Sequence, residues 1–124
     1  MWERVALIAL GGALGALARY GLSGVVDTWR GPTVLGIFVV NVSGALALGL
    51  LLGFSEDRIG FPALARSALA IGFLGAYTTF STLMFESVDL MESGSWATAA
   101  LNAGGSVAAG LVAVYAGLVV GRTI

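Results

Sequence analysis

One apolar stretch, from Phe61 to about Met91, constrains this chain more than any other feature of the sequence. Its centre is interrupted, within six positions, by a cluster of hydroxyl-bearing residues: Tyr77, Thr78, Thr79, Ser81 and Thr82. As one continuous helix the roughly thirty residues would span about 45 Å, whereas the hydrocarbon core of a membrane is about 30 Å thick. The stretch must therefore tilt strongly or break at the cluster. Unwound backbone at that depth requires protein or a water-filled cavity to satisfy it.

The composition indicates a membrane protein with several spans. Hydrophobic residues make up 58% of the chain, charged residues only 10%, and the mean hydropathy is +0.97. A soluble domain of this size needs far more charge on its surface. The 124 residues leave room for about four spans of about twenty residues each. We therefore predict an all-α, multi-pass membrane protein, with residues 1–124 forming one domain of four transmembrane helices, the third of them tilted or broken.

The other three spans are predicted at about residues 5–26, 33–52 and 96–120, which puts both termini on the same side of the membrane. Asp27 and Arg30 are expected in a polar turn after the first span. Small residues recur on the first and fourth spans and allow helices to pack closely. They include Gly11, Gly15, Gly104, Gly105 and Gly110. The polar side chains inside these spans include Arg19, Asn41, Asn102 and Ser106.

Missing residue types exclude several classes of function. The chain has no Cys and no His, and its six basic residues are all arginine. Disulfides, thiolate or imidazole metal sites, His-based catalysis and lysine Schiff bases are therefore excluded, and we predict that the chain is not an enzyme. A net charge of -1 without any basic run gives no reason to expect nucleic acid as a partner.

The polar groups inside the membrane are mostly hydrogen-bond donors, and no carboxylate lies at mid-depth. A proton-coupled cation exporter needs an acid there. A path for a small anion needs hydroxyl and amide hydrogens and the positive edges of aromatic rings, such as that of Phe80. Each residue also has a structural interpretation: hydroxyls bond back to their own helix, Asn41 can join helices, Arg19 can pair, and Glu86 can lie in a solvated vestibule. The residues alone indicate a small oligomeric transporter or channel.

Three segments of the chain are similar to the signature segments of one family. They read GGALGALARY at 11–20, NVSG at 41–44 and GFLGAYTTFST at 72–82. They resemble the Fluc family of bacterial fluoride channels, also called CrcB, and the resemblance extends over essentially the whole chain. It implies a broken third helix and an antiparallel, dual-topology dimer with two fluoride pathways along the subunit interface. It also implies a structural Na⁺ on the dimer axis, held by the backbone carbonyls of Gly75 and Thr78.

The resemblance further implies a set of pore residues. Asn41 matches the pore asparagine, Phe80 the first of two pore phenylalanines, and Ser106 a hydroxyl of the polar track on the fourth helix. Ser81 and Thr82 are expected to add hydroxyl donors, Arg19 matches the arginine of the first span, and Glu86 is assigned to the vestibule. Two positions depart from the family pattern: Leu83 stands in place of the second phenylalanine, and Asn102 in place of a tyrosine.

The resemblance implies passive export of fluoride by a channel in the inner (plasma) membrane, with a second copy of the chain, the ion and the lipid bilayer as partners. Two alternatives stay open. Arginines outside the membrane fall mainly on the side of the termini, which favours one fixed orientation and therefore a subunit of a heterodimeric channel that does not conduct alone. The other alternative, a small multidrug exporter, requires a glutamate inside the first span, and none is present. We favour the homodimer.

Overall fold

The computed structural model describes all 124 residues and is entirely helical. Its four long helices are α1 (Trp2–Arg30), α2 (Leu35–Ser55), α3 (Ala63–Glu92) and α4 (Trp96–Thr123). Each is long and apolar enough to cross a membrane. The prediction of an all-α membrane protein with four transmembrane helices is therefore confirmed.

The first helix is longer than predicted. We expected Asp27 and Arg30 in a polar turn, but both lie in α1, which ends only before Gly31 at a φ of 80°. The helix of 29 residues would be about 44 Å long, longer than the hydrocarbon core, so its ends extend into the polar interface. Charged residues there remain helical because water and headgroups can solvate them. The prediction of a turn at these two residues was wrong for this reason.

The third helix is broken where the hydroxyl cluster lies, as predicted. The backbone is α-helical over Ala63–Arg66, π-helical over Ser67–Leu74 and α-helical again over Gly75–Tyr77. Thr78 and Thr79 are then extended, and helix resumes over Phe80–Glu92. The side chain of Thr79 caps this second segment by accepting a hydrogen bond of 3.3 Å from the amide of Thr82. We call residues 63–77 the first half of α3 and residues Phe80–Glu92 its second half.

Glycines set the closest helix contacts, but not all at the predicted positions. Gly11 and Gly15 of α1 lie against the backbone of the first half of α3, as the small-residue pattern indicates. On α4, however, a Cβ added at Gly104 or Gly110 would meet no other atom within 4 Å, and one added at Gly105 would meet only a side chain of its own helix. The contact between α2 and α4 is made instead by glycines nearer the ends of the two helices. These are Gly49 and Gly53 on α2, and Gly117 and Gly121 on α4.

Both termini lie at one end of the bundle. Arg122 pairs with Glu56 at 2.9 Å, and Arg58 donates a hydrogen bond of 2.6 Å to the carbonyl of Ile124, so the end of α4 lies beside the loop between α2 and α3. The beginning of α1 packs near the beginning of α3. The two remaining turns, 31–34 and 93–95, lie at the opposite end, in agreement with the predicted topology.

Candidate functional site

The break in α3 is held from the side by Asn41 of α2. The amide nitrogen of Asn41 donates to the carbonyl of Thr79 at 2.9 Å, and the amide of Thr79 donates to Asn41 Oδ1 at 2.7 Å. In a continuous helix the Thr79 amide would bond to the carbonyl of Gly75. Asn41 therefore satisfies both backbone groups of a residue that has left the helix, which allows the break to exist inside a membrane.

The next residues of α2 fit the other side of the break. The hydroxyls of Ser43 and Tyr77 lie 2.8 Å apart. Gly44 faces the break, and a Cβ at this position would lie 3.0 Å from the ring of Tyr77 and closer still to the methyl group of Thr78. The sequence shows the NVSG step as a motif, but not that these residues pair with Tyr77. The Ser43 contact was therefore missed.

A cavity of about 340 Å³ lies between α2, the break and α4. Seven of its lining residues belong to the predicted pore, the predicted metal site or the hydroxyl cluster: Asn41, Gly75, Thr78, Thr79, Phe80, Leu83 and Ser106. Phe80 is 71% exposed, so its ring lies on the outer surface of the single chain. The structure thus brings the central residues of the predicted site together around one cavity that opens at a surface facing lipid or another subunit.

The cavity presents hydrogen-bond donors rather than acids. Ser106 is only 6% exposed, yet its Oγ has no hydrogen-bond partner within the chain. A buried hydroxyl without a partner is unusual and indicates a missing ligand or water. The second half of α3 begins at Phe80 in the same wall, and the first amides of a helix carry partial positive charge. Together these groups suit a small anion.

Three predicted pore residues lie outside this cavity. Thr82 and Ser81 contact the Thr79 hydroxyl at 3.2 and 3.3 Å, respectively, and so belong to the cap of the second half of α3. Asn102 donates to Ser87 Oγ at 3.2 Å, and Ser87 donates to the carbonyl of Leu83 at 2.8 Å. Asn102 lines a separate groove of about 300 Å³ between α2 and α4. The pore roles of these three residues stay predictions.

Glu86 lies in a second cavity, of about 550 Å³, at the end of the bundle that carries the two short turns. Asp27 of α1 and Asp89 of α3 line the same cavity. Glu86 Oε2 and Asp27 Oδ1 have no hydrogen-bond partner within the chain. This placement agrees with the predicted vestibule position of Glu86, although its role there stays a prediction.

The carbonyls of Gly75 and Thr78, predicted as Na⁺ ligands, are both released by the break. The amide that would bond to Gly75 donates to Asn41 instead, and Thr78 is extended, with a ψ of 152°. Unwound carbonyls are suitable ligands for a hard cation. Arg19 already approaches the Thr78 carbonyl, with its Nη1 at 3.5 Å. One chain therefore offers two carbonyls outside the helical hydrogen-bond ladder, and the Arg19 guanidinium donates to that of Thr78.

Comparisons with known proteins agree with this geometry. The family model described as "CrcB-like protein, Camphor Resistance (CrcB)" matches residues 6–118. A relative from Nitratidesulfovibrio vulgaris, strain Miyazaki F, is 48% identical and is aligned over 98% of this chain and 99% of its own length. A relative from Maridesulfovibrio salexigens is 47% identical, and the alignment covers 94% of this chain and 94% of the relative. One from Magnetococcus marinus is 45% identical, and the alignment covers 98% of this chain and 99% of the relative. All three are named "Fluoride-specific ion channel FluC". With nearly its whole length matched by the family model and by these relatives, the chain belongs to the CrcB family.

Proposed function

We propose that this chain forms a fluoride-selective channel that exports cytoplasmic fluoride passively. The relatives named above are fluoride-specific ion channels rather than enzymes, and they align along nearly all of the chain. The observation that carries the proposal is the partnerless Ser106 hydroxyl, which shares one cavity with Asn41 and with the start of the second half of α3. Membership of the CrcB family leaves the multidrug exporter without support.

The proposed mechanism replaces water around the ion with donors from the protein. HF crosses the membrane, dissociates at cytoplasmic pH, and the trapped anion leaves down its electrochemical gradient. Fluoride is small and holds its hydration shell tightly, so the path must offer hydroxyl and amide hydrogens at close range. Ser106, one remaining amide hydrogen of Asn41 and the ring edge of Phe80 supply such groups at the cavity. Leu83 adds only an apolar wall.

A second copy of the chain is proposed as the partner that closes the path. Phe80 lies at the outer surface, where a single chain leaves the cavity open. An antiparallel homodimer would cover this surface and produce two equivalent paths at the interface. A homologous subunit of opposite orientation is the alternative partner.

Na⁺ on the axis of that dimer is a further part of the proposal. The carbonyls of Gly75 and Thr78 fit a hard cation because both have left the helical ladder. Two carbonyls are too few to coordinate such an ion, so the same two carbonyls of a second copy would be needed to complete its coordination shell. There Na⁺ would supply fixed positive charge, while Asn41 and Arg19 orient the backbone around it.

Efflux from liposomes tests the function directly. We expect liposomes that contain only this purified chain and are loaded with potassium fluoride to release fluoride rapidly once valinomycin is added. Valinomycin lets K⁺ leave with the anion and so prevents a membrane potential from stopping the efflux. Chloride-loaded liposomes serve as the control for selectivity, and empty liposomes as the control for leakage. A folded chain that releases no fluoride alone contradicts the homodimer, and co-purification with a homologous chain then tests the heterodimer.

Substitution of Ser106 by alanine should separate conduction from stability. Because Ser106 Oγ has no partner, we expect its removal to leave the free energy of unfolding unchanged within about 0.5 kcal/mol or slightly increased. Fluoride efflux should fall about tenfold, as expected for loss of one hydrogen bond to a charged group. Ser87→Ala is the matched control, because Ser87 makes two hydrogen bonds and its loss should reduce stability by about 1 kcal/mol. Unchanged efflux in Ser106→Ala contradicts the assignment of this hydroxyl to the path.

A further inference from the structure

We propose that Tyr77 and Ser43 are positioning residues of the channel. Their hydroxyl pair holds the last helical residue before the break against α2, and so fixes the direction of the Thr78 carbonyl and of the cavity wall beyond it. What the fixed break does depends on the proposed fluoride function, whereas the pair itself rests on contacts within the chain.

The direction of the hydrogen bonds follows from the neighbours of Ser43. Ser43 Oγ donates to the carbonyl of Val40 at 3.1 Å, so its hydrogen is already used. It therefore accepts from the hydroxyl of Tyr77 at 2.8 Å. Tyr77 is only 9% exposed and Val40 is fully buried, whereas Ser43 is half-buried, so the phenol is the shielded member of the pair. A buried phenol that lost this partner would be left unsatisfied, which gives the pair its strength.

The ring of Tyr77 is held on one face as well as at its hydroxyl. It stacks on Phe73 with ring centroids 5.9 Å apart and an angle of 11° between the planes. Gly44 leaves room for it on the side of α2. The amide of Thr78 still bonds to the carbonyl of Leu74, but the backbone turns extended immediately afterwards. The orientation of Tyr77 therefore determines where the released carbonyl of Thr78 points.

The same turn of α2 holds both sides of the break. Ser43 binds Tyr77 before the break, and Asn41 binds Thr79 after it. Ser43 and Asn41 are two residues apart on one rigid helix, so the distance between the two anchor points is nearly constant. With the Ser43 anchor removed, the first half of α3 can rotate relative to the second, and the cavity wall at Thr78 and Phe80 loses its defined shape.

Amide hydrogen exchange tests the pair without reference to transport. We compare the wild-type chain with Tyr77→Phe, Ser43→Ala and the double variant, each reconstituted in liposomes, and follow peptides that cover residues 76–82. Tyr77→Phe removes only the hydroxyl oxygen and keeps the stacked ring. We expect exchange at these residues to be about fivefold faster than in the wild type in each single variant. In the double variant it should be no faster than in either single variant, because both substitutions remove the same hydrogen bond. Tyr115→Phe, at an exposed tyrosine of α4, is the matched control and should exchange like the wild type.

Efflux from the same liposomes tests the positioning role. We expect fluoride efflux per folded protein to fall about fivefold in Tyr77→Phe and the ratio of chloride to fluoride efflux to rise. A residue with a merely structural role would lower the amount of folded protein and leave this ratio unchanged. Faster exchange with unchanged efflux and unchanged ratio overturns the positioning role.

The two readouts also separate this inference from the proposed function. Wild-type exchange in Tyr77→Phe, or an effect in the double variant equal to the product of the single effects, overturns the hydroxyl pair. A wild-type chain that releases no fluoride overturns the proposed function, while the exchange rates continue to decide whether Tyr77 and Ser43 fix the break.

Discussion

Replacement of Asn41 by aspartate is expected to abolish fluoride efflux, with a loss of at least about a thousandfold. The carboxylate can no longer donate to the carbonyl of Thr79, which Asn41 Nδ2 reaches at 2.9 Å in the wild type, so two acceptors would face each other. It also places a negative charge in the wall of the cavity. Repulsion between two unit charges 4 Å apart costs about 4 kcal/mol at an effective dielectric constant of about 20, which corresponds to about three powers of ten in occupancy.

Two further variants separate the causes of this loss. Thr123→Asp adds the same charge at the exposed end of α4, away from the cavity lined by Asp27 and Glu86, and should keep efflux near the wild-type rate. Asn41→Ala removes the two hydrogen bonds without adding charge, so its efflux should lie between those of the wild type and Asn41→Asp. The measurement is the initial rate of fluoride release per folded protein, with folding checked by gel filtration. A rate for Asn41→Asp within tenfold of the wild type would contradict both roles of Asn41, as anchor of the break and as part of the path.

The break in α3 could be predicted from two features of the sequence together, although length alone left a strong tilt open, as the unbroken 29-residue α1 shows. The apolar stretch is too long for the hydrocarbon core, and hydroxyl residues that can cap a new helix are concentrated at its centre. The cap by Thr79 uses one of these residues. The π-helical segment Ser67–Leu74 could not be predicted, because its residues are equally compatible with an ordinary α-helix.

The partners of the polar residues depended on helix rotation, which the sequence does not specify. Asn41 was correctly identified as an amide that needs a partner, but its pairing with the backbone of Thr79 joins residues 38 positions apart. Asn102 and Ser106 lie on one face of α4, as their spacing indicates, and both are buried. Nevertheless the amide of Asn102 is bound to Ser87, whereas Ser106 faces the cavity with no partner. A difference of one turn in height along the bundle decides between the two environments.

The same limit applies to the glycines of α4. The sequence contains two groups of glycines on this helix, and composition alone gives no reason to prefer either as a contact. The structure places Gly117 and Gly121 against the backbone of α2, while a Cβ added at Gly104 or Gly110 would meet no atom within 4 Å. This difference yields a large effect on stability that can be measured.

Substitution of Gly117 by alanine is expected to destabilise the chain by about 2 kcal/mol or more. A Cβ at this position would overlap the carbonyl oxygen of Leu46 and lie 2.8 Å from the amide nitrogen of Leu50, so α2 and α4 would have to move apart. Backbone atoms cannot rotate out of the way as a flexible side chain can, and overpacking of a tight contact costs about 1–3 kcal/mol. Because lipid competes equally for apolar side chains, close packing of this kind carries much of the association between membrane helices.

Gly104→Ala is the matched control on the same helix, since its Cβ would meet nothing within 4 Å. Alanine favours a helix over glycine by about 1 kcal/mol, so this variant should be as stable as the wild type or more stable. The measurement is the free energy of unfolding in mixed micelles with increasing dodecyl sulfate, followed by circular dichroism and by the fluorescence of the three tryptophans. Equal stability of the two variants would show that α2 and α4 are not in backbone contact at Gly117. A loss confined to Gly117→Ala supports the contact, because the two substitutions add the same methyl group to the same helix and differ only in what it meets.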